Sequence, residues 1–383
     1  MKVLYVCPTS GLYGDNIAIL NIMPYLKQLG VEPIFYTSEE SQFTERLQEL
    51  NYPYICGYDV CCLGMWPRWK KLKDFLGWCR RLITGRYLKE YVRLRKNVNN
   101  LHLDMIHSNL SCTTVGYRLS QDLKIPHVWH IREYGSLDHG YYQYPTKNML
   151  QRKFNSPGTC LVFITEGIRK FYNNPINSYV VYDGPLDTHR KCFLFTKKEK
   201  YFLFVGRLAE TKGVHYIIEA FAKIACTKPD FILKIAGTGD KAYTDFLQNL
   251  VNKLNINDKV IFLGFQKDVY PLMQHATAIV VSSRFEAFGF ITSEALYNGC
   301  PVIGHDTAGT KEQMDKVISM NEIGSKVVYP YQNNHEISGF MFDAINNKLS
   351  QLKIESVHRK ILSYFSAEES AKKIFRIYKK LLE

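Results

Sequence analysis

Residues 201–237 read YFLFVGRLAETKGVHYIIEAFAKIACTKPDFILKIAG, and their pattern of apolar residues indicates the fold class. Two short apolar runs, Tyr201–Gly206 and Phe231–Gly237, flank a segment whose apolar residues recur at helical spacing between Val214 and Ala225. Buried strands joined by a helix form the βαβ unit of a parallel sheet. Because such sheets bind ligands at the carboxyl ends of their strands, the residues that follow each run are candidates for a site.

The same alternation runs along the whole chain. Strands are predicted at VLYVC and VEPIFYT, around a helix over Asp15–Leu29, and then at Asp104–His107, His127–His130, Leu161–Ile164 and Tyr179–Tyr182. After the polar stretch Asp187–Lys200 the pattern restarts with five predicted strands: YFLFVG, FILKIAG, KVIFLG, ATAIVVS and PVIGH. A chain of 383 residues is long for one core.

The sequence therefore predicts an α/β protein with two Rossmann-like, doubly wound domains that face each other across a cleft. The predicted domains are residues 1–186, residues 187–365, and a C-terminal helix, residues 366–383, that packs back on the N-terminal domain. Ala367–Leu382 has apolar residues at helical spacing, so this helix needs a surface to cover.

The composition is that of a folded protein, with 46% hydrophobic and 22% charged residues. No apolar run approaches the roughly 18 residues of a membrane-spanning helix. The ten cysteines form no CxxC pair, which predicts reduced thiols in a cytoplasmic protein. No Asp-x-Asp pair occurs, so no metal site is predicted.

The positive charge is concentrated in the segment 61–96. Between Trp66 and Lys96 there are eleven basic and two acidic residues, 11 − 2 = +9 of a total of +13. Aromatic residues alternate with these cations: Trp66, Trp69, Phe75, Trp78 and Tyr87. This combination suits the surface of an anionic membrane and predicts peripheral attachment to the inner face of the plasma membrane. Solvated helices that cap the domain are the alternative.

The most informative motif is VVSSRFEAFGFITSEALYNG, residues 280–299, in which Glu286 and Glu294 flank a turn. The backbone NH groups of Phe288, Gly289 and Phe290 would stand at a helix start, which favours an anion. Glu286 can then reach a sugar hydroxyl, and Glu294 a ribose diol. The motif predicts a nucleotide-sugar site, with an ordinary strand-turn-helix and two solvated glutamates as the alternative.

A second motif, VGRLAETKG, places Arg207 and Lys212 after a strand. A forked guanidinium and a mobile ammonium together suit a diphosphate. Two weaker elements follow the next strands, and both have an ordinary βα turn as their alternative. The predicted donor contacts in them are Gly237 and Gly239 for the nucleotide and Phe265 and Val269 for the base.

In the N-terminal half, SGLYGD places Gly14 and Asp15 after the first strand, where they can approach donor phosphates and acceptor. Its G-x-x-G spacing is not the dinucleotide fingerprint, so nicotinamide binding is disfavoured. With Asp15, the predicted acceptor contacts are the residues at two later strand ends: His107, His130, Arg132 and Glu133. A histidine in such a position is otherwise structural.

Taken in order, these motifs resemble those of family-four retaining glycosyltransferases, especially bacterial enzymes that build capsular and other surface polysaccharides. The family's G-R-L-x-x-x-K-G, glycine pair, E-x-F-G-x-x-x-x-E and G-x-P-V-I patterns are matched by Gly206–Gly213, Gly237–Gly239, Glu286–Glu294 and Gly299–Ile303. The resemblance covers nearly the whole chain and implies the GT-B fold.

By this resemblance Arg207 and Lys212 hold the diphosphate of a UDP-sugar, which is substrate and not cofactor, while Glu286 holds the sugar and Glu294 the ribose. Gly14 lets donor and acceptor meet. Two matches depart from the family pattern: Asp183–Gly184 replaces an interlobe N-G turn, and Glu312 follows a turn that keeps only Gly309.

The resemblance also implies front-face substitution with retention, in which the leaving phosphate oxygen helps take the acceptor proton. A strong protein base is then optional, so His130 and Asp15 join Glu286, Lys212 and Arg207 as catalytic candidates through positioning. Two alternatives stay open. A nucleotide-sugar 2-epimerase has the same architecture, and a basic nucleic-acid-binding protein also combines cations with aromatic residues.

Overall fold

The computed structural model describes residues 1–56, 65–67, 80, 83–138, 141–143, 147–187 and 197–383. These residues form two compact units. The first comprises Met1–Gly184 together with Ala367–Glu383, and the second comprises Pro185–Ser366.

The first unit contains a parallel sheet of seven strands in the order β3-β2-β1-β5-β6-β8-β9. Its strands are β1 (Lys2–Val6), β2 (Glu32–Tyr36), β3 (Tyr54–Ile55), β5 (Met105–Asn109), β6 (His127–Ile131), β8 (Thr159–Phe163) and β9 (Ser178–Val180). A separate antiparallel pair joins β4 (Met65–Pro67) and β7 (Tyr141–Gln143). The central strands are buried along almost their whole length, as expected for a sheet covered on both faces.

Six helices of the described chain belong to this first half: α1 (Gly14–Gln28), α2 (Gln42–Glu49), α3 (Arg86–Asn99), α4 (Val115–Leu123), α5 (Lys147–Phe154) and α6 (Glu166–Phe171). Their apolar faces cover the sheet. Ile19 of α1, for example, is fully buried in one core cluster with Tyr5 and Phe35 of the sheet.

The second unit contains a parallel sheet of six strands in the order β12-β11-β10-β13-β14-β15. The strands are β10 (Tyr201–Val205), β11 (Ile232–Ala236), β12 (Val260–Gly264), β13 (Ala278–Val281), β14 (Val302–His305) and β15 (Val328–Tyr331). The sequence predicted five, so that count was wrong by one. The missed strand β15 contains Pro330, which argues against a strand in sequence but is tolerated at the sheet edge that β15 occupies.

The helices of the second unit are α7 (Val214–Thr227), α8 (Lys241–Lys253), α9 (Tyr270–His275), α10 (Phe290–Tyr297), α11 (Ala308–Ile318), α12 (Glu336–Ile345) and α13 (Gln351–Phe365). A short 3-10 helix, Glu210–Lys212, precedes α7. Ile217 and Phe221 of α7 pack with Phe202 and Leu233 of the sheet in the unit's main core, where all four are buried.

The C-terminal helix α14 (Ala367–Leu382) belongs to the first unit and lies against α1. Its buried residues Ala371, Ile374 and Tyr378 join the same core cluster as Ile19. The helix therefore packs back on the N-terminal domain, as the amphipathic pattern predicted. Burial of such side chains stabilises by roughly 1.5–3 kcal/mol for each large residue.

Three further findings concern only the described residues. No helix there is both long enough and apolar enough to cross a membrane. No group of three or more His, Cys, Asp or Glu side chains there is arranged to hold a metal ion. Four of the cysteines described are free thiols: Cys7, Cys160, Cys226 and Cys300.

Candidate functional site

The loops that follow β10 and β11 run side by side at the carboxyl edge of the second sheet. Leu208 donates its backbone NH to the Thr238 carbonyl at 2.8 Å. A Cβ atom at Gly237 would lie 1.8 Å from the Gly206 carbonyl oxygen, and one at Gly239 would lie 1.9 Å from that of Leu208. The two glycines are thus required by backbone packing, and their contact with a nucleotide stays a prediction.

Lys212 ends the short 3-10 helix, and Gly213 then starts α7 in a left-handed conformation with φ of 64°. Ser282, after β13, donates its hydroxyl to the Lys212 carbonyl at 2.6 Å and so holds this turn. The Lys212 ammonium donates to a carboxylate oxygen of Glu286. Their side chains are 27% and 19% exposed, so solvent reaches part of the ion pair.

The turn that carries Glu286 is held from behind by α11. Gln313 donates its amide to the carbonyl oxygens of Phe288 at 2.5 Å and Gly289 at 3.1 Å. The backbone NH of Gly309 donates to the Glu286 carbonyl at 2.9 Å. Gly289, with φ of 82°, then begins α10. The turn is therefore positioned by contacts on its inner side, while the helix start remains at the carboxyl edge.

The other predicted donor residues of this unit also follow its strands. Arg207 is exposed and forms no ion pair with any residue in the described ranges. Phe265, after β12, is 76% exposed, and Val269 is the residue before α9. Three more predicted residues lie in or at the start of helices: Phe290 and Glu294 in α10 and Glu312 in α11.

Ser282 and Gln313 were not among the residues predicted from the sequence. Ser282 lies within the motif of residues 280–299, but no pattern marks either side chain, because their role is to hold backbone carbonyls. The one available signal for Gln313 is its position four residues after Gly309, which places both on the same face of a helix. The arrangement as a whole offers a cation, a carboxylate and a helix start, which suit an anionic, hydroxyl-bearing ligand.

In the first unit, β5 and β6 bring the two predicted histidines together. The Nε2 atom of His107 lies 3.2 Å from Nδ1 of His130, and its Nδ1 atom lies 2.6 Å from the Tyr378 hydroxyl of α14. Nη2 of Arg132 lies 3.3 Å from the same His130 Nδ1. Burial, and then the positive charge of Arg132, hold the pKa of both histidines well below its usual value. Both rings are therefore neutral at pH 7.

Arg132 and Glu133 are also buried and fully engaged. Arg132 forms an ion pair with Asp183 and donates Nε to Asn109 at 2.6 Å. Burial lowers its pKa to about 10, so it stays a cation. The Glu133 carboxylate accepts hydrogen bonds from the backbone NH of Ser111 at 2.7 Å and from the Ser111 hydroxyl at 2.8 Å. Burial raises the Glu133 pKa to about 7, outweighing the Ser111 hydrogen bond that lowers it.

The structure therefore places His107, Arg132 and Glu133 inside the first unit, where their side chains hold loops and each other. Their contact with an acceptor stays a prediction. His130 differs, because its Nε2 atom is buried and has no hydrogen-bond partner in the described part of the chain. Sequence reasoning missed Asn109, Ser111 and Tyr378, whose roles depend on long-range packing that no motif encodes.

The Gly-rich turn before α1 presents the remaining predicted residues. Thr9 donates its hydroxyl to the Asp15 carboxylate at 2.5 Å, and Asn109 donates its amide to the Asp15 carbonyl at 3.1 Å. A Cβ atom at Gly14 would meet no atom within 4 Å. The space beside Gly14 is thus open to a ligand.

Two Rossmann-like units with parallel sheets define this chain as a protein of the GT-B fold. Residues 187–357, which form most of the second unit, match the family model described as Glycosyl transferases group 1. HepE of Anabaena, solved in complex with UDP, superposes with a TM-score of 0.76 over 99% of this chain and 100% of that one, at 16% identity. At that identity the likeness shows the fold.

Several curated proteins are similar in sequence. An uncharacterised glycosyltransferase of Methanocaldococcus jannaschii is 31% identical over 48% of this chain. The matched part is 46% of that protein, so this chain spans about half of its length. Mannosylfructose-phosphate synthase of Agrobacterium fabrum is 25% identical over 76% of this chain and 70% of its own. A third similar protein is N-acetylgalactosamine-N,N'-diacetylbacillosaminyl-diphospho-undecaprenol 4-alpha-N-acetylgalactosaminyltransferase of Campylobacter jejuni. It is 29% identical over 42% of this chain and 40% of its own length.

Proposed function

We propose that this protein is a retaining, metal-independent glycosyltransferase that transfers a sugar from a nucleotide diphosphate-sugar, with UDP-sugar favoured, to a glycan or polyprenyl-linked acceptor. The role would be in bacterial surface polysaccharide synthesis, in the cytoplasm. The observation that carries this proposal is the contact between Lys212 and Glu286 beside the helix start at Gly289.

The donor would bind by replacing Glu286 as the partner of Lys212. A diphosphate offers Lys212 a stronger, doubly charged partner and can also accept hydrogen bonds from the NH groups at the start of α10. The Glu286 carboxylate is then released to accept from a sugar hydroxyl. Arg207, exposed on the neighbouring loop, would add a forked donor to the same charge.

The leaving diphosphate gains negative charge as the sugar departs. Lys212, Arg207 and the helix start would stabilise that charge, which is the largest contribution expected of such a site. With retention, the leaving oxygen takes the acceptor proton, so the first unit needs to orient the acceptor and not to deprotonate it. Asp15 and His130 are the residues we propose for that orientation.

The printed names of two similar proteins support the choice of substrates. HepE was solved with UDP, and the Campylobacter jejuni protein is named for an undecaprenol-diphosphate-linked substrate. A lipid-linked acceptor would require the enzyme to reach a membrane surface.

We propose that the basic segment provides this attachment. Half of this segment, 61–96, lies outside the described residues, including Trp69, Phe75 and Trp78. Helix α3 is described, and on it Leu88 and Val92 are 55% and 56% exposed beside exposed cations. The double variant Leu88→Ser/Val92→Ser should weaken flotation with phosphatidylglycerol vesicles several-fold. Failure of the unmodified protein to float at physiological salt would refute attachment.

The activity can be tested in two steps. A panel of nucleotide sugars is first screened for a rise in melting temperature, because a specific ligand stabilises only the folded protein. The stabilising donor is then incubated with glycan and polyprenyl-linked acceptors, and the anomeric configuration of the product is read by NMR. Retention is expected. An altered sugar nucleotide formed without acceptor would instead identify the epimerase.

Lys212→Ala tests the carrying observation. Loss of a cation that meets transition-state charge should lower kcat about 10²–10³-fold with the fold intact. Lys241→Ala is the matched control, since Lys241 is 88% exposed and pairs only with Asp245 on α8 in the described chain. Near-normal turnover of Lys212→Ala would remove this lysine from the site.

A further inference from the structure

Asp183 stands next to Gly184, where the N-terminal part of the first unit ends, and its carboxylate forms a buried ion pair with Arg132. The backbone on both sides of Asp183 is held by side chains of two helices. Ser370 of α14 donates its hydroxyl to the carbonyl of the preceding residue at 2.6 Å. Asn21 of α1 donates its amide to the carbonyl of the following residue at 3.5 Å. Asp183 is therefore fixed in place and can hold a neighbouring side chain.

A row of buried contacts leads from Asp183 to the Gly-rich turn before α1. Arg132 binds the Asp183 carboxylate through Nη1 and donates Nε to Oδ1 of Asn109 at 2.6 Å. Asn109 then donates Nδ2 to the backbone carbonyl of Asp15 at 3.1 Å. Asp183, Arg132 and Asn109 are 6%, 5% and 0% exposed. Because solvent hardly reaches these groups, loss of one contact leaves its partner buried and unsatisfied.

The donors and acceptors in this row agree with one another. A guanidinium only donates hydrogen bonds, so the Asn109 atom that faces Arg132 must be the amide oxygen. The amide nitrogen of Asn109 then faces the Asp15 carbonyl, which is an acceptor. The two contacts together give the Asn109 side chain a single orientation.

We propose that Asp183 is a positioning residue, which through Arg132 and Asn109 holds the backbone of the Gly-rich turn where Gly14 and Asp15 can meet a substrate. The space beside Gly14 is open, so a fixed turn presents its backbone directly to a ligand. This inference rests on the proposed function for the reaction that the turn serves. The order of the turn itself can be measured without that reaction.

Asn109→Asp breaks only the last contact of the row. An aspartate keeps the oxygen that faces Arg132 but has no NH group for the Asp15 carbonyl. The Ile17 amide donates to the Tyr13 carbonyl at 2.9 Å, so its hydrogen exchange reports opening of the turn. We expect this exchange, read by mass spectrometry, to be about two- to tenfold faster in Asn109→Asp, the effect of one hydrogen bond.

Asn177→Asp is the matched control. Asn177 donates Nδ2 to the Thr159 carbonyl at 2.5 Å, at the opposite, amino edge of the same sheet. The same substitution there removes one hydrogen bond and should leave exchange of the Ile17 amide unchanged. An unchanged rate in Asn109→Asp, or an equal increase in both variants, would contradict the proposal.

The role of Asp183 needs a variant that leaves no charge unpaired. Asp183→Ala alone strands a buried cation, which is strongly destabilising, whereas replacement of both charges is tolerated far better. We expect the double variant Asp183→Ala/Arg132→Met to fold, with Ile17 exchange as fast as in Asn109→Asp. Exchange at the natural rate would overturn the role of Asp183. Failure to fold would do so too, because the pair would then support the whole unit and not the turn.

The transfer reaction gives a second reading of the same row. A displaced turn should lower kcat about ten- to 100-fold in Asn109→Asp and in the double variant. Combining all three substitutions should lower kcat no further than the larger of these losses, because residues in one row act together. Losses that multiply would contradict the row. If the natural protein transfers no sugar, the proposed function fails, while the exchange rates still decide whether Asp183 positions the turn.

Discussion

Replacement of Gly309 by alanine tests whether α11 positions the turn that carries Glu286. Gly309 is buried in the first turn of that helix. A Cβ atom there would lie 2.4 Å from the Phe288 carbonyl oxygen and 2.6 Å from the Phe288 Cα atom. Ordinary van der Waals contact begins near 3.4 Å. Because the obstructing atoms are backbone, they cannot rotate away, and the turn must retreat by roughly 1 Å.

Two effects of known size follow from that displacement. Overpacking of a well-packed region costs typically 1–3 kcal/mol of stability. A misplacement of about 1 Å in a positioned group can lower the rate about 100-fold. We therefore expect Gly309→Ala to lose about 1–3 kcal/mol in urea unfolding and to lose most of its affinity for the nucleotide donor.

Gly339→Ala is the matched control, because Gly339 also lies in a helix of the second unit and has no atom within 4 Å of its added Cβ. That change should be neutral or stabilise by up to about 1 kcal/mol. Nucleotide binding by calorimetry and unfolding by circular dichroism measure both variants. If Gly309→Ala matches Gly339→Ala in both stability and nucleotide affinity, α11 does not position the turn.

Three further outcomes are expected. Gln313→Leu leaves the Phe288 and Gly289 carbonyls without their donor, so it should cost about 1–3 kcal/mol in urea unfolding, and an unchanged midpoint would contradict the support we assign to Gln313. Phe265→Ala should leave stability within about 0.5 kcal/mol, because the ring is largely exposed. If Phe265 stacks on the base, the same variant should raise donor KM about tenfold in initial-rate assays. Burial lowers the pKa of His127 to about 3, whereas a histidine in an unfolded chain has a pKa of about 6.5. The unfolded chain therefore binds the proton more tightly, and stability is complete above about pH 6.5 and is lost as pH falls toward 3. His127 alone should contribute a loss of about 2 kcal/mol between pH 6.5 and 5, and His127→Gln should show a shallower pH dependence of the urea midpoint.

The fold could be predicted because buried parallel strands have apolar sequences, and polar turns separate one such run from the next. Leu203 and Val280, for example, lie within such runs. The elements that were missed lack this signal: β3 has two residues, and β15 contains a proline at the sheet edge. Short edge strands depend on their neighbours for pairing, and that information is not local.

The sequence predicted which residues belong to the donor site, but it did not predict that Lys212 and Glu286 contact each other. Lys212 and Glu286 both follow strands, but they meet because β10 and β13 are adjacent in the sheet, which spacing does not reveal. The histidines show the opposite limit. Their positions at strand ends were predicted, yet burial behind Tyr378, 271 residues beyond His107, depends on a helix that the motif does not contain.

Because α14 completes a core begun by β1, the order of synthesis and the order of folding differ. The second unit, Pro185–Ser366, is continuous and can close as soon as it leaves the ribosome. The core of the first unit is complete only after translation has passed residue 378. Until then, the surface that Ile374 and Tyr378 later cover is exposed to water. During that interval the apolar side chains around Ile19 lack the part of their core that this helix supplies.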